Sequence, residues 1–138
     1  MTNAGSGSPN RLLKVGGGTT TPPTGKKFEN TADYAIGDNT TVESPVSVTG
    51  VTGNAPSALS VAVDIRHTFR GDLRVQLIAP DGSAYLLKDY NANDSADNVQ
   101  ATYTVNASSE VANGTWKLRV TDNAANDTGY VNAWSLQF

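Results

Sequence analysis

The side chains of this 138-residue chain offer little material for catalysis, because it contains one histidine and no cysteine. A serine-protease triad needs a nucleophilic serine, a histidine base and an acid that orients the base, so His67 is the only candidate for the base. Position 67 continues the alternation of residues 59–65, in which every odd-numbered residue is apolar. This parity predicts a buried or half-buried histidine that is hydrogen-bonded to the backbone, not a catalytic base.

The sequence patterns of hydrolase active sites are missing as well. There is no Gly-x-Ser-x-Gly turn to present a nucleophile and no His-Glu-x-x-His pair to hold zinc. With no cysteine and a single histidine, any zinc site is disfavoured. We therefore assign no catalytic residue and expect the chain itself to be proteolytically inert.

Two loops rich in aspartate and asparagine are the candidates for a metal site. The first contains Asp89, Asn91, Asn93, Asp94 and Asp97, and the second contains Asp122, Asn126 and Asp127. Carboxylate, amide and carbonyl oxygens are the ligands that Ca²⁺ takes. Calcium is therefore the predicted cofactor, held by Asp94 with Asp97 or by Asp122 with Asp127. Neither loop has the spacing of an EF-hand, and the same residues are typical of turns and solvated surface, so both interpretations stay open.

The elements that position these loops are predicted to be strands. The clearest has leucine, valine or isoleucine at positions 59, 61, 63 and 65 and polar or small residues between them, which is the pattern of a half-buried strand. Similar alternation is found around residues 34–36, 42–48, 73–77, 84–87, 99–105, 116–120 and 134–138. About eight mainly antiparallel strands, each with one apolar face, predict an all-β, jelly-roll-like β-sandwich. Both tryptophans, at positions 116 and 134, have the parity of the core.

Composition divides the chain into three segments. Residues 1–15 are separated from the rest by residues 16–27, which contain a run of glycine, threonine and proline typical of a linker. Residues 28–138 are long enough to form one compact domain. The net charge is −3, the pI is near 4.9, and no basic cluster occurs. We expect neither a nucleic-acid partner nor, in the absence of a long apolar run, a membrane span.

Several spaced motifs resemble one known family. They are IRHTFRGDLRVQLIAPDG at residues 65–82, NGTWKL at 113–118, Asp122, DTG at 127–129, WSL at 134–136, and FEN at 28–30. In this order they resemble the P domain, or Homo B domain, of kexin- and furin-like proteases, over residues 28–138. The family carries a histidine at the position of His67 without giving it a catalytic role.

Residues 8–13, SPNRLL, are similar to the last residues of subtilisin-like catalytic domains, which makes residues 1–15 a remnant of such a domain. The resemblance implies that the parent protein is a secreted, bacterial, calcium-dependent serine endopeptidase. It also implies a partner, the catalytic domain of the same polypeptide, which a P domain packs against, stabilises and tunes in its response to calcium and pH.

Two alternatives remain open. The domain could bind protein or carbohydrate substrates, which would favour exposed aromatic side chains, with Tyr85, Tyr90 and Tyr130 as candidates. It could also follow a metalloprotease, because P domains occur there too. A stabilising role favours an apolar patch on one face of the sandwich, where the catalytic domain docks.

Overall fold

A computed structural model describes residues 26–125 and 128–138. The predicted remnant, nearly all of the linker, and Asp127 lie outside these residues. The described chain forms nine strands: β1, Lys27–Asn30; β2, Tyr34–Ile36; β3, Thr41–Val48; β4, Leu59–His67; β5, Leu73–Ile78; β6, Ala84–Lys88; β7, Val99–Val105; β8, Gly114–Asp122; and β9, Gly129–Gln137. One 3₁₀ turn, Arg70–Asp72, precedes β5.

The strands form two antiparallel sheets. The first has the order β1-β9-β4-β7, with β2 also pairing with β9, and the second has the order β3-β8-β5-β6. The predicted all-β sandwich is therefore confirmed. The structure adds a ninth strand, β1. Its four residues, KFEN, are too few to show a periodic pattern in the sequence. It is a strand because β9 pairs with it, from Lys27–Gln137 to Asn30–Trp134.

The core lies between the inner faces of the two sheets. Along β4 every odd residue is buried and every even residue is only partly buried, as period-two alternation requires. The largest fully buried side chains include Trp116, Leu59, Ile65, Leu73, Leu77, Leu118 and Leu136. Burial of each such leucine or isoleucine contributes roughly 1.5–3 kcal/mol. The indole N–H groups are satisfied too, because Trp116 donates to Ala112 O at 2.8 Å and Trp134 to Ser44 Oγ at 3.0 Å.

The two sides of the sandwich differ. On one side β1 and β2 lie against β3 of the other sheet. On the opposite side β6 and β7 are the edge strands, and residues 89–98 connect them. The predicted hairpin of residues 73–87 is present as the β5–β6 pair. Its turn depends on Gly82, whose φ of 93° lies in the left-handed region that favours glycine.

At Gly129, β9 lies too close to β4 for a side chain. A Cβ atom at this position would lie 2.0 Å from Arg66 O and 2.9 Å from His67 Cα, so the two backbones would have to separate. We expect Gly129→Ala to lower the free energy of unfolding by about 1–3 kcal/mol, the usual cost of overpacking. Urea unfolding measures this.

Gly37→Ala is the matched control, because its Cβ would have only an ordinary contact, 3.4 Å from Thr40 Oγ1. Its free energy of unfolding should stay within about 0.5 kcal/mol of wild type. Equal effects of the two substitutions would contradict the assigned close approach.

Candidate functional site

His67 and Asp122 form a buried pair that joins the two sheets. They lie at the ends of β4 and β8, on the inward parity of both strands, and their side chains are 0% exposed. The His67 Nε2 and Asp122 Oδ2 atoms are 3.0 Å apart. The predicted burial of His67 is confirmed, with 3% of the residue exposed, and the pairing with Asp122 is an addition that the sequence did not reveal.

The hydrogen bonds of His67 determine its tautomer. Phe69 N–H donates to Nδ1 at 3.0 Å, so Nδ1 carries no proton and Nε2–H is the donor to Asp122. A general base needs a free ring nitrogen within reach of the proton that it removes. Both nitrogens of His67 are already used, and the ring is closed off from solvent. The geometry gives this histidine a structural role.

Both carboxylate oxygens of Asp122 are also engaged. Oδ2 faces His67, and Oδ1 accepts the Ala124 N–H at 2.9 Å. The Asp122 N–H donates to Thr40 O at 2.9 Å. A cation that took Asp122 as a ligand would have to share these oxygens with His67 or Ala124.

Asp94 anchors the loop of residues 89–98 through three contacts. Its Oδ2 accepts Arg70 Nε–H at 2.8 Å, its Oδ1 accepts Ala96 N–H at 3.3 Å, and its main-chain oxygen accepts Gly71 N–H at 3.0 Å. The bond from Arg70 is the main reason why the pKa of Asp94 lies below its ordinary value, and desolvation opposes it in part.

Lys88 supplies a second cation beneath the same loop. Its Nζ donates to the main-chain oxygens of Arg70 at 2.8 Å, Leu73 at 3.1 Å and Asp89 at 3.1 Å. Desolvation lowers the pKa of this ammonium group, although nearby Asp94 opposes the shift. These three main-chain oxygens, which could otherwise bind a metal ion, thus accept hydrogen bonds from Lys88.

Gly71 allows the loop to lie this close. A Cβ on Gly71 would meet Asn91 O at 2.0 Å and Asp94 O at 2.6 Å. The Gly-Asp-Leu sequence of residues 71–73 therefore serves packing, with Leu73 fully buried. Arg70 and Lys88 were missed by sequence reasoning, because a single Arg or Lys beside a strand gives no signal of what its head group contacts.

Three of the four predicted metal ligands lie within the described residues. Asp94 pairs with Arg70, Asp97 is exposed, Asp122 pairs with His67, and Asp127 lies outside the described residues. Within residues 26–125 and 128–138, no three histidine, aspartate or glutamate side chains are grouped so that they could hold a metal ion. Calcium at Asp94–Asp97 or Asp122–Asp127 stays a prediction.

The candidate tyrosines have different surroundings. The Tyr85 hydroxyl donates to the buried Glu110 carboxylate, and this bond is the first cause of the raised pKa of Tyr85. Tyr90 lies under Arg74, whose Cζ is 4.5 Å from the ring centroid. Tyr130 is 39% exposed. One of the three, Tyr130, is thus available as an exposed aromatic surface.

The two sheets and the buried His67–Asp122 pair define a β-sandwich domain, and comparison with known proteins gives its family. Residues 56–138 match the model of the proprotein convertase P-domain. The chain belongs to the proprotein convertase P-domain family.

The relatives of this chain are bacterial proteases and enzymes much longer than it. It is 56% identical over 129 residues to leupeptin-inactivating enzyme 1 of Streptomyces exfoliatus, covering 92% of this chain and 29% of the relative. It is 52% identical over 115 residues to the transglutaminase-activating metalloprotease of Streptomyces mobaraensis, covering 83% of this chain and 15% of the relative. It is 33% identical over 113 residues to the extracellular basic protease of Dichelobacter nodosus, covering 82% of this chain and 18% of the relative. The chain thus spans less than a third of each.

A solved structure shares the fold. The serine protease of Aeromonas sobria matches with a TM-score of 0.63 and 19% identity, over 80% of this chain and 26% of that protein. Identity at this level supports the β-sandwich fold alone. Among the residues that the structure describes, no helix has the length and hydropathy needed to cross a membrane.

Removing the Asp122 carboxylate should destabilise the fold. Asp122→Ala leaves the buried Nε2–H of His67 without its acceptor, and we expect a loss of roughly 2–4 kcal/mol in the free energy of unfolding. Asp97→Ala is the control, since Asp97 is exposed and should change stability by less than about 0.5 kcal/mol. Both are measured by urea unfolding in the presence of a chelator. Similar stabilities of the two variants would overturn the assigned role of the pair.

The Asp94–Arg70 pair should make the loop sensitive to acid. The pKa of Asp94 is lowered in the folded state, whereas in the unfolded chain it lies near the ordinary value of about 3.9. The contribution of Asp94 is therefore present above about pH 4 and is lost as the pH falls through the folded-state pKa. We expect the protection factor of Gly71 N–H against hydrogen exchange to fall over this range. Arg70→Gln should weaken this pH dependence, and an unchanged profile would contradict the assignment.

Proposed function

We propose that this chain is the non-catalytic P domain of a secreted bacterial endopeptidase and that it stabilises and regulates the catalytic domain of the same polypeptide. The observation that carries the proposal is the family match over residues 56–138. A chain that spans 29% and 15% of two protease or enzyme relatives corresponds to one domain of a larger protein.

The structural role of His67 supports a non-catalytic domain. The chain's one histidine has Nδ1 bonded to Phe69 N–H and Nε2 to Asp122. The sequence contains no other histidine, so in this proposal hydrolysis is carried out by a different domain. Regulation by calcium and pH is what the family resemblance implies for such a domain.

Two catalytic classes are candidates for the parent. A subtilisin-like serine endopeptidase is supported by residues 8–13, because these six residues are similar to the end of subtilisin-like catalytic domains. A metalloprotease is supported by the 52% identity to a relative that carries this name.

A direct role in substrate binding is the other candidate function. It is favoured by one aromatic side chain, Tyr130, because Tyr85 and Tyr90 are engaged with Glu110 and Arg74. Among the described residues, the other exposed large apolar side chains are Leu86, 56% exposed in β6, and Val111, 63% exposed between β7 and β8. A single apolar docking face therefore stays a prediction.

The proposal is tested in the parent enzyme by deleting residues 28–138. We expect the truncated enzyme to lose activity on heating faster than the full-length enzyme, because its catalytic domain no longer has a packing partner. The 138-residue chain alone should hydrolyse no peptide substrate. Equal half-lives of both enzymes would overturn the stabilising role. Inhibition by 1,10-phenanthroline or by a serine-directed sulfonyl fluoride separates the two catalytic classes.

Calcium binding is tested on the 138-residue chain by its melting temperature. A ligand that binds the folded state raises stability by mass action, so millimolar calcium should raise the melting temperature of wild type above its value in EGTA. If Asp94 and Asp97 are ligands, Asp97→Ala should abolish the increase without lowering the melting temperature in EGTA. No calcium effect on wild type would refute both predicted sites.

A further inference from the structure

Lys88 places a positive charge among main-chain oxygens at the start of the loop of residues 89–98. Its ammonium nitrogen donates to the oxygens of Arg70 at 2.8 Å, Leu73 at 3.1 Å and Asp89 at 3.1 Å. These three oxygens, which we call the oxygen cluster, belong to the 3₁₀ turn, to β5 and to the loop. One cation therefore connects three segments of the chain.

The oxygen cluster has the chemistry of a metal site. An ammonium group has three N–H donors, and each oxygen of the cluster accepts one hydrogen bond from Lys88. Main-chain oxygens are also among the usual ligands of calcium. Because a lysine ammonium group is a compact point charge on a flexible stem, its nitrogen lies here where a metal ion would bind. The oxygen cluster is therefore a cation site whose cation is part of the chain.

The charged side chains around the oxygen cluster balance one another. Those linked to Lys88, directly or through an ion pair, belong to Asp72, Asp89, Asp94, Arg70 and Arg74. With Lys88 included, three positive and three negative formal charges cancel. Without its ammonium group the same set carries a net charge of −1, and the three oxygens have lost a donor. Both changes favour uptake of a metal cation.

The ligands favour calcium over magnesium. Calcium accepts about six to eight oxygens in a flexible geometry, whereas magnesium requires a near-ideal octahedron and keeps several waters. The oxygen cluster is held by a turn and a strand, so its oxygens cannot all rearrange to form an octahedron. The Asp89 and Asp94 carboxylates lie nearby and are each bonded to an arginine.

We propose that Lys88 occupies this cation site in place of a metal ion, and that removal of its side chain opens the site to calcium. While Lys88 is present the residues do not fit a calcium ion at the oxygen cluster, because two cations cannot share the same three oxygens. The cation that orders residues 89–98 is covalently part of the chain. It cannot dissociate when the calcium concentration falls, so the contacts of the loop with the oxygen cluster are independent of calcium.

This inference assigns a site and goes beyond the proposed function, because it does not depend on which catalytic domain accompanies the chain. It is also separate from the two aspartate pairs that the sequence predicts as calcium ligands. Calcium bound by either pair would already raise the melting temperature of wild type. The difference between wild type and a Lys88 variant therefore reports on the oxygen cluster.

The melting temperature of Lys88→Ala in the 138-residue chain tests the proposal. In EGTA we expect the variant to melt roughly 5–15 °C below wild type, because three main-chain oxygens lose a donor. Millimolar calcium should restore most of this loss by mass action, and the increase for wild type should be smaller. If Lys88→Ala is unfolded in EGTA, calcium should restore its circular dichroism spectrum. Equal responses of the variant and wild type to calcium would overturn the proposal.

Two matched variants separate a calcium site from a general effect of charge. Lys88→Met keeps an uncharged stem of similar length in the oxygen cluster, so it should gain no more from calcium than wild type does. Lys27→Ala removes a lysine whose side chain is 56% exposed, and its calcium response should equal that of wild type. If magnesium or potassium stabilised Lys88→Ala as much as calcium does, the effect would be charge screening and the proposal would be wrong.

Terbium luminescence measures binding directly, without a change in stability. Tb³⁺ takes the oxygen ligands of calcium, and excitation of a nearby tyrosine sensitises its emission. Tyr103 lines the same cleft as Lys88. Lys88→Ser leaves room in the oxygen cluster and adds a hydroxyl oxygen, so it should show saturable terbium emission that exceeds that of wild type and is displaced by calcium. Emission no stronger than that of wild type in both the serine and the alanine variant would refute the site.

Discussion

The rest of the structure depends on the period-two alternation of side chains in strands that must bury one face between two sheets. The constraint acts on polar residues as well as apolar ones. His67 ends the inward series of β4, and Asp122 ends that of β8, so both are carried into the core. A buried carboxylate and a buried imidazole are costly unless each is hydrogen-bonded. The 3.0 Å contact between them, with Phe69 and Ala124 N–H groups as further partners, meets this requirement and links the sheets.

The open side of the sandwich is organised by cations of the chain itself. Lys88 donates to three main-chain oxygens and Arg70 binds Asp94, so the aspartate-rich loop is held by side chains. The loop therefore has the aspartate-rich composition of a metal site, but its contacts include the positive charges of Arg70 and Lys88. Gly71 is part of the same arrangement, since any larger residue would push the loop away.

These features suit the proposed role as a domain of a larger protein. Its one histidine is used for structure, its family is that of the proprotein convertase P-domain, and it forms a minor part of its relatives' length. Among the described strands, β6 and β7 are the edges on one side of the sandwich, and β1 and β2 lie against β3 on the other side.

The sequence by itself determined the sandwich, the β5–β6 hairpin, the buried tryptophans and the burial of His67, because each follows from local alternation or turn chemistry. The ordered motifs around residues 65–82 and 113–136 also identified the family, which the comparison confirmed. Only the tertiary structure decided that His67 meets Asp122, that Arg70 and Lys88 lie beneath residues 89–98, and that β7 is an edge among the described strands. These contacts join residues from different strands or loops, and strand order is set by packing across the whole domain, not by local sequence.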